Sequence, residues 1–132
     1  MALSAPRLLA VVASFGLVAA LPASLGAAGP SAREQARATA AASAYSAFEA
    51  RLQAQTVTAE TVYVWSVRQM EAEKKTKGTL VAAQDHLARM RKIAAQVKTG
   101  VAAGTMSAAD EKGAAYYVAE AELWVADAGG TP

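Results

Sequence analysis

The sequence predicts an all-α protein, with four helices arranged as antiparallel hairpins, either an up-down four-helix bundle or a coiled-coil-like pair, behind an N-terminal signal peptide. Three observations carry this. Residues 36 to 55 contain no Gly or Pro and are rich in Ala, the strongest helix former. Leu80, Ala83, Leu87, Met90, Ala94, Val97 and Val101 alternate spacings of three and four over three heptads, the pattern of a helix-packing seam. Finally, Thr56-Val57-Thr58-Ala59 recurs 49 residues later as Thr105-Met106-Ser107-Ala108, each ahead of a run that reaches Glu-Ala-Glu, at 71–73 and at 120–122.

Taken in order, the chain opens with a short segment carrying one positive charge, Arg7, followed by the uninterrupted apolar run Leu8 to Leu21 and then Pro22. Small residues around Gly26-Ala27-Ala28 offer a cleavage site, so residues 1–28 read as a secretory signal peptide. The apolar run of 14 residues is shorter than the roughly 20 that span a bilayer, which argues against a retained anchor. Without cysteine, the chain has no disulfides, thiolate metal sites or thiol chemistry. The expected location is exported, either periplasmic or secreted.

Residues 29–128 form the expected helical domain. Ser31-Ala32-Arg33-Glu34 is a capping box, and Ala38, Ala41, Tyr45, Phe48 and Leu52 make the apolar stripe of a first helix over about 31–54. "TVYVWSV" (61–67) has strand-like composition but no partner strand, and it runs into helix-forming residues; a second helix over about 58–76 is expected. Gly78, preceded by lysines, ends it. A third helix follows over about 79–102. Ser107 caps a fourth over about 107–127, with Ala109, Lys112, Tyr116, Ala119, Leu123 and Ala126 as its expected inner stripe. Turns fall near 55–58 and 103–107, and residues 129–132 are expected to be a disordered tail.

After the expected leader, 12 Lys and Arg face 11 Asp and Glu, a net charge of +1, which gives no electrostatic footprint for nucleic acid. Of those 104 residues 27 are alanine and only 15 are Leu, Ile, Val or Phe, so the core is thin and self-association or a protein partner is expected to support it.

Candidate chemistry is sparse. His86 is the only histidine, so a di-metal bundle lacks its ligands, and haem ligation by His86 and Met90 would use two groups on one side of one helix. Nucleophile and base pairs reduce to a serine with His86. The carboxylates of Glu71 and Glu73, like those of Glu120 and Glu122, point to different sides of a helix. No catalytic residue, cofactor, metal or small-molecule substrate is expected. Lys74, Lys75, Lys77, Arg89, Arg91, Lys92 and Lys98 read as a solvated face with Glu71 and Glu73 as counter-charges. Trp65, Tyr116, Tyr117 and Trp124 are aromatic contact candidates, because an alanine core cannot hide every large ring.

The segment "VKTGVAAGTMSAADEKGAAYYVAEAEL" resembles the periplasmic helical hairpin of TolC-like outer-membrane efflux proteins, whose turn has the form Gly-x-x-Ser/Thr-x-x-Asp. Gly104, Ser107 and Asp110 occupy those three positions. "VWSVRQMEAE" is similar to a Trp-Ser-x-Arg element that precedes such hairpins in exported bacterial proteins. Val101 stands where the family usually has an aromatic residue, and Glu111-Lys112 replaces an apolar pair. The resemblance implies a helical hairpin with Gly104 to Asp110 as a docking tip. It covers about residues 97–126, more weakly 51–73, and implies no transport.

Together these readings lead to a non-enzymatic exported protein that binds another protein or its own copies through the 80–101 seam and the aromatic groups. The alternative is a small periplasmic chaperone or stress sensor holding unfolded chains in an amphipathic cradle with basic rims.

Overall fold

The structure, a computed structural model, describes residues 29–132; the expected signal peptide lies outside them. Four helices follow one another, α1 (Ala32–Gln53), α2 (Ala59–Lys77), α3 (Thr79–Ala102) and α4 (Ala108–Asp127), with no strand among the described residues. The strand-like stretch 61–67 lies inside α2, where Thr58 supplies the cap and helix continues on both sides.

Three of the four helices, α1, α2 and α4, start on a hydroxyl side chain that accepts from a first-turn amide; α3 has no side-chain cap. At α1 the Ser31 hydroxyl accepts from the Glu34 amide at 3.2 Å and the Glu34 carboxylate accepts from the Ser31 amide at 2.8 Å. Ser107 and Asp110 repeat this reciprocal box at α4. Gly78 alone joins α2 to α3; its φ of +89° is the conformation that only glycine adopts without strain.

The two longer corners have the same construction at an offset of 49 residues. Gln55 and Gly104 take positive φ, +58° and +74°. Thr56 donates its amide to the Arg51 carbonyl at 2.9 Å and its hydroxyl to the same oxygen at 3.1 Å; Thr105 does so to Gly100 at 2.9 and 3.2 Å. Val57 and Met106 then fold inward. The larger methionine requires Gly100, where a Cβ would come within 2.8 Å of the Met106 side chain.

Contacts across neighbouring helices fall in residue number on one side as they rise on the other. Phe48 stacks on Trp65, Lys77 reaches Asp85 while Arg89 reaches Ser66, and Arg91 meets Glu122 while Leu80 lies against Gly130. α2 packs on α1, α3 and, less extensively, α4, whereas α1 has its main packing on α2 and does not close a ring with α4.

The expected stripes of α1 and α3 face the core: Ala38, Tyr45 and Leu52 are buried on α1, and Ala83, Leu87, Met90 and Val97 on α3, with Leu80, Ala94 and Val101 half-buried. The α1 stripe 38, 41, 45, 48, 52 coincides with positions 87, 90, 94, 97, 101 of α3 at the same offset of 49. Burial on α3 is wider, because it also takes in Ala82, His86 and Ile93.

On α4 the expected inner stripe points the other way. Ala109, Lys112, Tyr116, Ala119, Leu123 and Ala126 are all exposed, and the buried face runs through Ala114, Ala121 and Val125. Seven of the twenty residues of α4 are alanine, so small residues mark several faces alike; the face that carries Val125, Trp124 and Tyr117 is the one that fills space. Beyond α4 the chain stays docked through Gly130. Gly129, at φ +83°, and Gly130 donate to the Ala126 and Val125 carbonyls at 2.9 Å, and Leu80 covers Gly130.

Candidate functional site: a sealed polar centre, an open groove and an outward helix face

Along α2, Ser66, Gln69 and Glu73 interrupt the apolar pattern of Val62 and Met70 at helical spacing, so all of them turn toward the interior. α3 presents His86 and Arg89, one turn apart, to the same place. The Arg89 Nε donates to Ser66 Oγ at 2.7 Å, and because a guanidinium can only donate, the serine proton is free for His86 Nδ1 at 2.8 Å. Arg89 also reaches Glu73 at 3.5 Å, and the Glu73 carboxylate accepts from Gln69 at 2.8 Å and Lys77 at 3.0 Å.

Ser66 and His86 are the serine–histidine pair that no sequence motif announced, but both are fully buried. Neither side chain is open to solvent, and their hydrogen bond joins α2 to α3 in the interior. Burial, reinforced by the Arg89 guanidinium, pushes the His86 pKa down to about 4, against a partial offset from Ser66, so the ring is neutral at pH 7. Its Nε2 has no hydrogen-bond partner, and neither does Gln69 Oε1 or Glu73 Oε2. Trp124 packs beside the ring at 5.2 Å between centroids.

His86 lies fully inside the molecule. This centre also corrects one expectation. Glu73 and Arg89 do not belong to a solvated face, since Glu73 is 3% exposed and the Arg89 side chain 13%. Glu71, by contrast, lies outside with Lys74, as two residues of separation on a helix require. The legible signal was the row of polar residues set into the apolar face of α2.

Of the seam, Leu87, Met90 and Val97 are buried in the core and Leu80 and Val101 are half-buried against it. Gly104, Ser107 and Asp110 sit together on an exposed corner, where Asp110 is engaged by Ser107; that contact holds its carboxyl below the usual range. The other corner lies beside it, so that Gln55, Val57, Thr105, Met106 and Asp110 border one shallow cleft. Three of the four aromatic candidates are half-buried: Trp65 stacks on Phe48 at 5.4 Å, Tyr117 on Tyr63 at 4.2 Å, and Trp124 covers His86. Tyr116 remains 61% exposed on the outward face of α4, near Leu123 at 59%. Glu120 accepts from the hydroxyls of both Tyr63 and Tyr116.

An open groove runs between α1 and α2. Its floor is Ala40, Ala41 and Ala44, its wall Trp65, and its rims Arg37 and Arg68, the latter lying 4.6 Å over the Trp65 ring. Among the described residues no three His, Asp or Glu side chains converge on a metal-sized site, and no helix is long and apolar enough to cross a membrane. Comparison with known proteins finds no matching family, no matching curated protein and no matching solved structure.

Proposed function

We propose that this is a non-enzymatic exported protein of two tandem helical hairpins, which works by presenting helix faces to another protein chain, in the periplasm or outside the cell. The observation that carries this reading is the outward stripe of α4. Its six residues keep the three-and-four spacing of a packing seam yet are all exposed, with Tyr116 and Leu123 as large apolar anchors. The serine–histidine pair found among the described residues is sealed, which supports a structural role for it. The TolC-like resemblance adds the corner Gly104, Ser107 and Asp110 as a second contact point of the same kind.

The small-chaperone reading draws on the arginine-rimmed, alanine-floored groove between α1 and α2. It is told apart by its stoichiometry: a monomer that suppresses aggregation of denatured clients is its signature.

The test is a photo-crosslinking amino acid placed at Tyr116 or Leu123 of the full chain in its native cell, with exposed Gln84 on α3 as the control. Discrete protein adducts at 116 and 123 but not at 84 are expected. Uniform absence of adducts at both α4 positions contradicts the interaction reading.

A further inference from the structure

The groove between α1 and α2 has a counterpart inside the molecule. At the offset of 49 residues, Arg37, Ala40, Ala44, Trp65 and Arg68 correspond to His86, Arg89, Ile93, Ala114 and Tyr117. In the second unit that position is filled by α2: Ser66 reaches His86 and Arg89, and Tyr63 stacks on Tyr117. In the first unit it is open, because nothing precedes α1 among the described helices. The element equivalent to α2 is α4, since Thr58 and Ser107 start the two helices in the same way.

The face of α4 that matches the α2 side of this interface is free. Ser66, Met70 and Lys77 correspond to Ala115, Ala119 and Ala126, all exposed, and Glu73 corresponds to Glu122, which lies at the surface with Arg91. Charge agrees with this placement. α4 carries five acidic side chains against one lysine, whereas Arg33, Arg37, Arg51 and Arg68 on α1 and α2 make no ion pair among the described residues.

We infer that α4 of one copy docks in the α1–α2 groove of a second copy, continuing between molecules the α2–α3 contact that each molecule makes within itself. This rests on the interaction reading above and names the partner. Ala119 and its neighbours lie on the alanine floor, Glu122 comes beside Arg37, and Tyr116 and Leu123 edge the contact. The docked surfaces differ, so the association is head-to-tail and grows beyond a dimer unless it closes into a ring.

Two variants on exposed alanines test it: Ala119→Arg blocks the α4 face, and Ala40→Glu blocks the groove while placing an acid among arginines. Circular dichroism should show both folded as the wild type. In sedimentation, the wild-type chain should grow with concentration, more weakly at high salt, and each variant alone should be a monomer, its self-association weakened at least tenfold. Mixing the two, which leaves one intact groove and one intact α4 face, should restore a 1:1 dimer and stop there. Should either fold poorly, Arg37→Glu with Arg68→Glu replaces Ala40→Glu, and Leu123→Arg replaces Ala119→Arg.

A wild-type chain monomeric at every concentration overturns the inference, as does a mixture that stays monomeric. So does an Ala40→Glu chain that still dimerises while Ala119→Arg does not, because that pattern denotes symmetric α4–α4 pairing. Crosslinks from Leu123 only to a foreign protein would retire self-docking and leave the interaction reading intact.

Discussion

The two corners of this protein, 49 residues apart, are built alike, but the helices around them differ in their surroundings. The corners use the same hydrogen bonds, and the helices that lead into them, α1 and α3, carry inward stripes in the same register. Yet the side of α3 that holds His86 and Arg89 is packed beneath α2, while the matching side of α1, at Arg37 and Ala40, lies open. Local sequence sets each corner; what packs on a helix face is decided by the neighbour available, and composition follows. On the packed side His86 and Arg89 both bond to Ser66, whereas on the open side Arg37 makes no ion pair among the described residues.

The contrast can be broken most forcefully at the matched positions themselves. Arg89→Ala removes the guanidinium that joins Ser66 to Glu73 and leaves a buried carboxylate with less compensation, a loss of about 3 kcal/mol in urea unfolding. Arg37→Ala, on the open side of α1, should change stability by less than about 0.5 kcal/mol in dilute solution. Equal losses would mean the two faces are not differently loaded.

Next comes pH. His86 is neutral in the fold and its pKa lies near 4, below the unfolded value of about 6.5, so the unfolded chain binds the extra proton first. Stability should therefore be full above pH 6.5 and decline as pH falls toward 4, by on the order of 2 kcal/mol. His86→Gln should abolish the decline in that window. The carboxyls of Glu34 and Asp110, held low by their capping serines, act at lower pH, where stability falls as they protonate.

Smaller effects compare the corners. Gly104→Ala should cost about 1 kcal/mol, since φ is +74°, while Gln55→Gly, at φ +58°, should stabilise by up to about 1 kcal/mol. Ser107→Ala removes one half of a reciprocal cap and should cost about 1 kcal/mol; Thr58→Ala, where Thr61 stands in place of the acid, should cost somewhat less. Thermal unfolding of the four variants side by side would show whether the corners respond alike.

Much of this was legible beforehand. Hydroxyl caps, the glycine between α2 and α3, and the heptad seam of α3 place the helices to within a residue or two, because each rests on local backbone chemistry. The phase of α4 was not legible: a run in which alanine recurs on every side has no unique apolar face, and the choice was made by Trp124, Val125 and Tyr117 finding His86 and Tyr63. The polar centre was hidden for another reason. Ser66 and His86 are twenty residues apart on separate helices, and only packing joins them. The last glycines read as tail residues, but their hydrogen bonds to Val125 and Ala126 and the cover from Leu80 keep them on the helix.

The central claim is the rotation of α4, which turns Ala119 outward and Ala121 inward. The chain has no cysteine, so a single one at either position can be read by its rate of thiol labelling, on protein dilute enough to be monomeric. The account predicts that Ala119→Cys reacts at nearly the rate of an unfolded peptide and that Ala121→Cys is protected by at least a hundredfold. Equal rates, or a faster reaction at 121, would contradict it.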